Sequence, residues 1–440
     1  FEAIGTSGEW RSCYWHATLR LCLVVYVDDF MLSGPTESLA EGWSLLRSDA
    51  GGVEAIRMDD PKPIGHYLGC DHREGTATLA NGAVVRVMEY DMEEFLVSCV
   101  NVYKELAGPS FELTTVATPF LEESDRDNVS RQPAGTGPWW ECPHCSGRFG
   151  TEQFRHGDTR RGTAPLRGPA IATAAADFGD EVVSGSSAHV PVDPPAEGTA
   201  AAAKKSKGIV NLAEDPGVLS SIAARVIMKV YYAARVARPD LLRAIGHLAC
   251  YITKWDRECD KKLHRLMCYV ASSLDHRLVG WVGDDVGAID LHLYADADFA
   301  GCLTTNRSTS GVYMALEGTN TSYPIAYISK KQSCVSHSTP EAEIVAGDFG
   351  IRQAGLPGQV MWDTLANDTP RTLSIHDDNE AMLKIVASGK NPTMRHLGRT
   401  HGVSISWLHQ EVNKPDKAMS YLESKYMPAD IFTKFFPERL

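Results

Sequence analysis

A compositionally biased segment in the middle of the chain sets the strongest limit on how it can fold. From about Glu122 to Gly208 the sequence is rich in Ala, Gly, Pro, Ser and Thr and follows neither the helical nor the strand period. Such a segment cannot bury enough apolar surface to offset a backbone entropy loss of about 1–2 kcal/mol per residue. The sequence therefore predicts a disordered, low-complexity insert at 122–208 in a modular chain, since 440 residues accommodate about two to four domains.

Composition and charge narrow the class of protein further. Hydrophobic residues make up 43% of the chain and charged residues 22%, as in ordinary globular proteins. The net charge of −13 has the wrong sign for a protein that coats nucleic acid, so any nucleic-acid contact must be local. The apolar run at 21–27 is much shorter than the roughly 20 residues that span a bilayer, so we expect no membrane segment. Eleven scattered cysteines fit a reducing compartment better than a disulfide framework.

Two adjacent aspartates stand out near the start of the sequence. The apolar run Leu21–Val27 is followed by Asp28 and Asp29 and then by a second apolar run, Phe30–Leu32. This pattern predicts a β-hairpin with two carboxylates at its tip. Neighbouring carboxylates repel each other, and a fold tolerates them most readily where a divalent cation neutralises them. The alternative is an acidic tip that faces solvent, but Tyr26 and the apolar strands on both sides favour a metal site.

The second half of the chain alternates between helical and strand patterns. Apolar residues recur at helical spacing after position 219, which predicts a helical connector at 209–285. The strands predicted beyond it are Ile289–Ala295, Ser310–Leu316, Pro324–Ser329, Thr372–His376 and Ser420–Tyr426. The predicted helices are Pro340–Ala354, Asn379–Ser388, Thr400–Gln410 and Ala429–Phe435. Three strands followed by alternating elements indicate an α/β fold with a mixed sheet flanked by helices.

Four acidic residues occupy positions from which they could meet in this fold. Asp296 and Asp378 end strands, Glu343 lies in the first helix after the third strand, and Asp430 opens the last helix. Their convergence would give a two-metal site for phosphodiester hydrolysis. Each acid alone is better explained as a cap or a solvated side chain, because carboxylates favour early helical turns. Glu341 is the alternative to Glu343 in the same helix.

A Cys-x-x-Cys pair lies inside the predicted insert. Cys142 and Cys145 supply half of a zinc site, and the further ligands available are His156 and, less plausibly, His144 or the distant His189. A closed tetrahedral site needs four ligands, so we do not expect zinc there and interpret the pair as free thiols. The alternative of a zinc site with His156 stays open.

The motifs together resemble the C-terminal part of a copia-type LTR-retrotransposon Pol polyprotein, from late reverse transcriptase through ribonuclease H. The polymerase likeness rests on the segments Tyr26–Asp29, Tyr67–Gly69 and Val116–Pro119, and the motif Arg238–Asp240 matches the connector between the two enzymes. The ribonuclease H likeness covers roughly the last third of the chain and rests on Asp296–Gly301, Arg307–Gly311, Ser329–Gln332, Ser338–Glu343, Asp378–Asn379, Arg399–His401 and Ala429–Lys434.

This resemblance implies roles for individual residues. Asp296, Glu343, Asp378 and Asp430 would be the metal-binding quartet of ribonuclease H, with Mg²⁺ or Mn²⁺ as cofactor. Asp28 and Asp29 would be two of the three polymerase carboxylates, and a strand before this hairpin supplies the third in the family. The residues expected to contact substrate are Tyr26, Tyr67, Leu68, Gly69, Arg307, Lys330, Lys331, Asn379, Arg395, Arg399 and His401.

The resemblance also implies an organisation and a function. The expected domains are a reverse transcriptase palm and thumb remnant (1–121), the insert, the connector and a ribonuclease H-like domain (286–440). The implied activity is metal-dependent cleavage of the RNA strand of RNA–DNA hybrids beside an incomplete polymerase palm. Expected partners are the hybrid, a primer–template, and upstream integrase, palm and fingers segments, in cytoplasmic virus-like particles or the nucleus. The alternative is a catalytically dead relic that serves as a nucleic-acid-binding or interaction module.

Two departures from the family pattern concern the ribonuclease H part. The usual lysine is missing from Arg399-Thr-His401, and we expect weaker substrate contact there. No histidine occurs between Ser420 and Asp430, which would slow product release. From 291 to 440 there are 14 basic and 16 acidic side chains, a balance that allows this region to bind a duplex once metal neutralises four of the acids.

Overall fold

The computed structural model of the protein describes residues 1–5, 10–48, 55–120, 139–141, 148–150, 217–302, 304–366 and 371–435. The chain forms two compact units, one made of residues 1–129 and 214–440 and the other of residues 130–213. Within the described ranges, every helix is too short or too polar to cross a membrane.

The strands of both units are numbered in chain order. They are β1 (Glu2–Ala3), β2 (Cys13–His16), β3 (Leu21–Tyr26), β4 (Asp29–Ser33), β5 (His66–Tyr67), β6 (Cys70–Thr78), β7 (Val84–Asp91), β8 (Trp139–Glu141), β9 (Arg148–Gly150), β10 (Leu278–Val282), β11 (Asp290–Asp298), β12 (Thr309–Glu317), β13 (Ser322–Lys331), β14 (Leu373–Asp377) and β15 (Lys417–Tyr421). In the unit of residues 130–213, β8 and β9 pair antiparallel. The rest of the predicted insert lies outside the described residues.

Among the described residues, the α-helices belong to the larger unit. They are α1 (Thr36–Arg47), α2 (Glu93–Ala107), α3 (Ser220–Val236), α4 (Leu242–Ala249), α5 (Arg257–Ser272), α6 (Thr339–Gly350), α7 (Leu356–Leu365), α8 (Glu380–Ser388), α9 (Leu397–Thr400) and α10 (Ile405–Val412). Short 3₁₀ turns separate several of them, and the last of these turns is Pro428–Phe432.

One mixed sheet organises the larger unit. Its nine strands lie in the order β15, β14, β11, β12, β13, β10, β7, β6, β5. Strand β14 is parallel to β11 and β15, and the other neighbours are antiparallel. Strand β10 pairs with β7 along its length but with β13 only through Trp281 and Ser322. The predicted α/β fold, a mixed sheet flanked by helices, is confirmed.

Strand β11 shows how the sequence specifies the two faces of this sheet. Leu291 and Leu293 are fully buried in a core that includes Ile344 of α6. Tyr294 packs instead against Met427 beside the last turn. Successive side chains of a strand point to opposite faces, so the alternating pattern places helix α6 on one face and the C-terminal turn on the other.

The connector motif has a structural role in a separate helical core formed by α2, α3, α4 and α5. Arg238 is 2% exposed and donates to the Ser273 carbonyl oxygen at 2.8 Å. Its guanidinium also contacts the Asp240 carboxylate at 2.8 Å. These bonds satisfy a charge that would be costly to bury alone.

Several element boundaries differ from the sequence-based predictions. The helix predicted at 340–354 ends at Gly350 and continues through a wider π-helical turn, Ile351–Gly355, before α7. Pro357 cannot donate a backbone hydrogen bond, which interrupts a regular helix at this point. The last strand lies at 417–421 because it pairs with β14 there, and the last predicted helix is the 3₁₀ turn 428–432. Residues 278–282, predicted within the connector, form strand β10.

Candidate metal centre

The parallel pairing of β11 and β14 positions the first two acids. In this pair Tyr294 lies level with His376, so Asp296 lies level with Asp378, which directly follows β14. Asp296 is 2% exposed. Equivalent positions of neighbouring parallel strands are adjacent in space, and the two carboxylates therefore face each other at one edge of the sheet.

Helix α6 brings the third acid to the same edge. Ala342 and Ala346 of the helix pack against Ala297 of β11, and small side chains allow the helix to approach the strand closely. Glu343, between the two alanines, is 3% exposed. One ligand oxygen from each of Asp296, Glu343 and Asp378 lies within 4.8 Å of the other two. A single divalent cation could contact all three.

Asp430 lies beside this group but outside it. Its carboxylate accepts a hydrogen bond from Lys434 at 2.6 Å, and the same Lys434 ammonium lies 3.9 Å from Asp296. The Thr433 hydroxyl donates to the other oxygen of Asp296. The last turn thus supplies a carboxylate, a hydroxyl and a counter-charge to the predicted site.

The carboxyl groups of Asp296 and Glu343 have raised pKa values, which favour either protonation of these groups or binding of a cation. Burial raises the pKa of Asp296 to about 6, although Thr433 and Lys434 oppose the shift. Burial, and then the neighbouring Asp377, raises the pKa of Glu343 strongly. Glu343 Oε2 is buried and has no hydrogen-bond partner. A cluster of buried carboxylates with an unsatisfied oxygen suits a hard cation such as Mg²⁺ or Mn²⁺, which prefers oxygen ligands.

Sequence reasoning missed Asp377, which is 1% exposed at the end of β14. One carboxylate oxygen accepts a hydrogen bond from the Asn379 backbone at 2.8 Å, and the other is buried without a partner. Burial raises its pKa, and it is the strongest charged neighbour of Glu343. The adjacent aspartates at 377–378 could have indicated a second acid near the site, since neighbouring strand residues face opposite sides and one of the two must face the interior.

Glu341 points to a different environment from Glu343. Its carboxylate lies 3.1 Å from His396 Nε2 and belongs to no group with Asp296 or Asp378. Residues two apart on a helix do not share a face, which explains the separation. Of the two candidate glutamates, Glu343 is the one grouped with the aspartates.

The substrate contacts predicted for the ribonuclease H part fall into two classes. Arg307, Arg395 and Arg399 are exposed, and so is Lys330, whose ammonium lies 5.0 Å from the centre of the Phe349 ring. The others are engaged within the protein: Lys331 donates to Cys302 Sγ at 2.7 Å, the Asn379 side chain caps α8, and the side chain of His401 is 2% exposed.

The N-terminal hairpin has the predicted form. Strands β3 and β4 are joined by Val27 and Asp28, and Tyr26, Asp28 and Asp29 are exposed. Val27 has a φ of 51°, which is strained for a β-branched residue. Among the described residues, neither aspartate belongs to a group of three possible metal ligands.

The Tyr67-Leu68-Gly69 segment forms a tight turn between β5 and β6. Leu68 and Gly69 have φ values of 49° and 76°, as a two-residue hairpin turn requires. The Leu68 carbonyl oxygen accepts a hydrogen bond from Tyr232, and the Tyr67 hydroxyl is buried without a partner. Burial, followed by the charge of Asp29, raises the pKa of Tyr67. The possible zinc ligands Cys142, Cys145 and His156 lie outside the described residues.

Comparison with known proteins gives partial matches. No protein-family model matches the chain. The retrovirus-related Pol polyprotein from transposon RE2 of Arabidopsis thaliana is 36% identical over 106 residues, 24% of this chain and 7% of that protein. The corresponding polyprotein from transposon TNT 1-94 of Nicotiana tabacum is 23% identical over 226 residues, 51% of this chain and 16% of that protein. The chain thus spans less than a fifth of the length of these polyproteins.

Two further proteins are also similar over part of the chain. The secreted RxLR effector protein 161 of Plasmopara viticola is 34% identical over 130 residues, 28% of this chain and 83% of that protein. The solved structure of LC11-RNase H1, isolated from compost by a metagenomic approach, has 18% identity and a TM-score of 0.22 and covers 33% of this chain and 92% of its own. Over part of its length, the chain is thus similar to retrovirus-related Pol polyproteins from transposons.

Proposed function

We propose that the protein is a metal-dependent ribonuclease H that hydrolyses the RNA strand of RNA–DNA hybrids. The observation that carries this proposal is the meeting of Asp296, Glu343 and Asp378 within 4.8 Å at one edge of a mixed sheet. The similarity to transposon Pol polyproteins supports it, because ribonuclease H is one activity that the copia-type resemblance implies. On this proposal, the N-terminal hairpin belongs to a polymerase palm.

The three grouped acids would hold Mg²⁺ or Mn²⁺, with Asp430 beside them. A two-metal site of this kind activates water for attack on a phosphodiester and stabilises the leaving oxygen. The chain's own residues shape the site around that chemistry. Thr433 fixes one oxygen of Asp296, and Lys434 compensates the charge of Asp430. Both contacts orient carboxylates before substrate arrives.

Binding of the hybrid would rely on its backbone. Arg307, Lys330, Arg395 and Arg399 are exposed cations suited to phosphate contacts. A protein that contacts phosphates and 2′-hydroxyls reads helix shape rather than base identity, so the cleavage should depend little on sequence.

The test is release of labelled RNA fragments from a hybrid in Mg²⁺, with duplex DNA as the control substrate. Asp296→Asn and Asp378→Asn should reduce release at least 100-fold while the protein stays folded, because each removes an anionic ligand. Glu380→Gln is the matched control, since Glu380 is an exposed acid next to the site and pairs with Lys384. Its release should equal that of the parent.

Two outcomes would contradict the proposal. One is no release by the parent chain, which would favour a catalytically dead relic. The other is equal release by the parent and by Asp296→Asn. Glu341→Gln should also retain far more activity than Glu343→Gln, because only Glu343 belongs to the acidic group.

A further inference from the structure

A second cluster of metal-binding side chains lies next to helix α6, apart from the three acids. It consists of His337, Glu341 and His396, whose ligand atoms all lie within 4.8 Å of one another. His337 precedes the first residue of the helix by two positions, Glu341 lies in its first turn, and His396 directly precedes α9. Glu341 is 1% exposed, so the cluster surrounds a buried carboxylate.

His401 brings a fourth nitrogen to the same carboxylate. Its side chain is 2% exposed, and its Nε2 lies 3.8 Å from Glu341 Oε1. This Nε2 is buried and has no hydrogen-bond partner among the described residues. A buried ring nitrogen directed at a buried carboxylate, without a hydrogen bond between them, is an unsatisfied arrangement.

The contacts of Thr400 favour a proton on His401 Nδ1. The Thr400 hydroxyl lies 3.0 Å from the His396 carbonyl oxygen, to which it can donate its one proton. Its Oγ1 lies 2.7 Å from His401 Nδ1 and can then accept a hydrogen bond from a proton on that nitrogen. In the neutral ring this leaves a lone pair on Nε2, the form in which histidine binds metals. Two electron-pair donors, Nε2 and the Glu341 carboxylate, then face each other, and a cation between them would satisfy both.

We propose that His337, Glu341, His396 and His401 bind one zinc ion. Three imidazole nitrogens and one carboxylate oxygen form a four-ligand set that suits Zn²⁺, whereas Mg²⁺ prefers oxygen ligands. Zinc bonds of about 2.0–2.1 Å in a tetrahedron separate neighbouring ligand atoms by about 3.3 Å. The distances from Glu341 Oε1 to His396 and His401 are 3.1 and 3.8 Å. The zinc ligands that the sequence suggested all lie in the predicted insert, Cys142, Cys145 and His156 foremost, so this site is a different one.

The proposed zinc site would tie together three parts of the chain. These are the loop before α6, the first turn of α6 and the segment 396–401. That segment includes Arg399 and follows Arg395, both proposed to contact the hybrid. The zinc site would thus hold two cationic side chains in place beside the helix that carries Glu343. Zinc binding itself does not depend on the proposed ribonuclease activity.

The experiment measures binding of Co²⁺ and Zn²⁺ to the full chain after removal of metals. Cys142→Ser and Cys145→Ser are combined as the parent background to eliminate the other candidate zinc ligands, and excess Mg²⁺ occupies the acidic group. We expect one equivalent of Co²⁺ with the visible absorption of tetrahedral cobalt, displaced by Zn²⁺. His337→Ala and His396→Ala should each weaken zinc binding at least tenfold. His66→Ala, which removes an exposed histidine elsewhere, should bind like the parent.

A conservative variant covers the case in which an alanine variant does not fold. His396→Cys keeps a ligand at the same position, and its cobalt complex should gain an intense near-ultraviolet thiolate-to-metal band at the same stoichiometry. Equal zinc affinity of His337→Ala, His396→Ala and the parent would overturn the proposal, as would a His396→Cys protein whose cobalt spectrum lacks that band. Cleavage of the hybrid is not the readout, so failure of the ribonuclease proposal would leave this result intact.

Discussion

The carboxyl group of Asp296 makes the stability of the metal-free protein depend on pH. Its pKa is raised from 3.8 to about 6, chiefly by burial. Between these values the folded chain holds a proton that the unfolded chain has lost, so stability falls as the pH rises from about 4 to about 6. We expect Asp296→Asn to raise the free energy of unfolding by about 1–3 kcal/mol at pH 7.5 and to have little effect at pH 4. Urea unfolding at both pH values without metal measures this.

The control at residue scale is Glu380→Gln, which removes an exposed acid and should change stability little at either pH. Asparagine at 296 can still accept the hydrogen bond from Thr433, so the variant removes charge and retains the contact. Added Mg²⁺ should stabilise the parent more than Asp296→Asn at pH 7.5, because the cation compensates the buried negative charge that the substitution removes. An equal gain from Asp296→Asn at pH 4 and pH 7.5 would show that the effect does not come from ionisation.

Sequence reasoning at this scale identified the acids but not all their surroundings. Strand ends and helical turns were readable from periodicity, and they indicated Asp296, Glu343 and Asp378 as residues that could meet. Asp377 was not identified, because a sequence does not say which of two adjacent aspartates turns toward a helix on the sheet. The histidines near Glu341 come from segments far apart in the chain, so no local pattern could group them.

At the scale of elements, the approach of the last turn to β12 depends on Gly311. A Cβ at this position would lie 2.6 Å from Thr433 Cγ2 and 2.7 Å from the Ala429 carbonyl oxygen. The turn would have to move away from the sheet, and it carries Asp430 and Thr433 with it. We expect Gly311→Ala to destabilise the protein by about 1–3 kcal/mol, as overpacking does, and to reduce cleavage of the hybrid. Urea unfolding and the cleavage assay measure the two effects.

Gly75→Ala is the matched control for that substitution. Gly75 also lies within a strand, β6, but a Cβ there meets nothing within 4 Å. It should leave both stability and cleavage close to those of the parent. If Gly311→Ala behaves like Gly75→Ala, the close approach of the turn does not position the site.

Element prediction succeeded where local patterns determine structure and failed where packing does. Alternation of apolar residues located β11, β12 and β13 within a few residues of their observed bounds. The π-helical turn at 351–355 was not predicted because it combines an interrupted helix at Pro357 with close packing, in which Gly355 meets Leu293 and Leu373. The observed bounds of the last strand differ from the predicted ones, because pairing with β14, rather than the strand's own composition, sets its register.

At the scale of the whole molecule, the sheet joins parts of the chain that the sequence assigned to different domains. Strands β5, β6 and β7 come from the predicted palm and thumb remnant, and β10 links them to β13 through one residue pair. Pairing between strands more than 180 residues apart leaves no periodic signal. The Asn81 and Asn320 side chains, which come from these two predicted domains, form a hydrogen bond at 2.8 Å. This contact could not be predicted from the sequence either.

The hairpin that carries Asp28 and Asp29 is expected to be inactive in this chain. Primer extension requires carboxylates that hold two metals, and the described residues place no third possible ligand with these two. We therefore expect the purified 440-residue chain to incorporate no deoxynucleotides on a primed template in Mg²⁺, even in preparations that cleave a hybrid. A variant combining Asp28→Asn and Asp29→Asn serves as the control and should cleave the hybrid like the parent. Incorporation by the parent that this double variant abolishes would contradict the prediction, because it would mean that the hairpin forms part of a complete polymerase site.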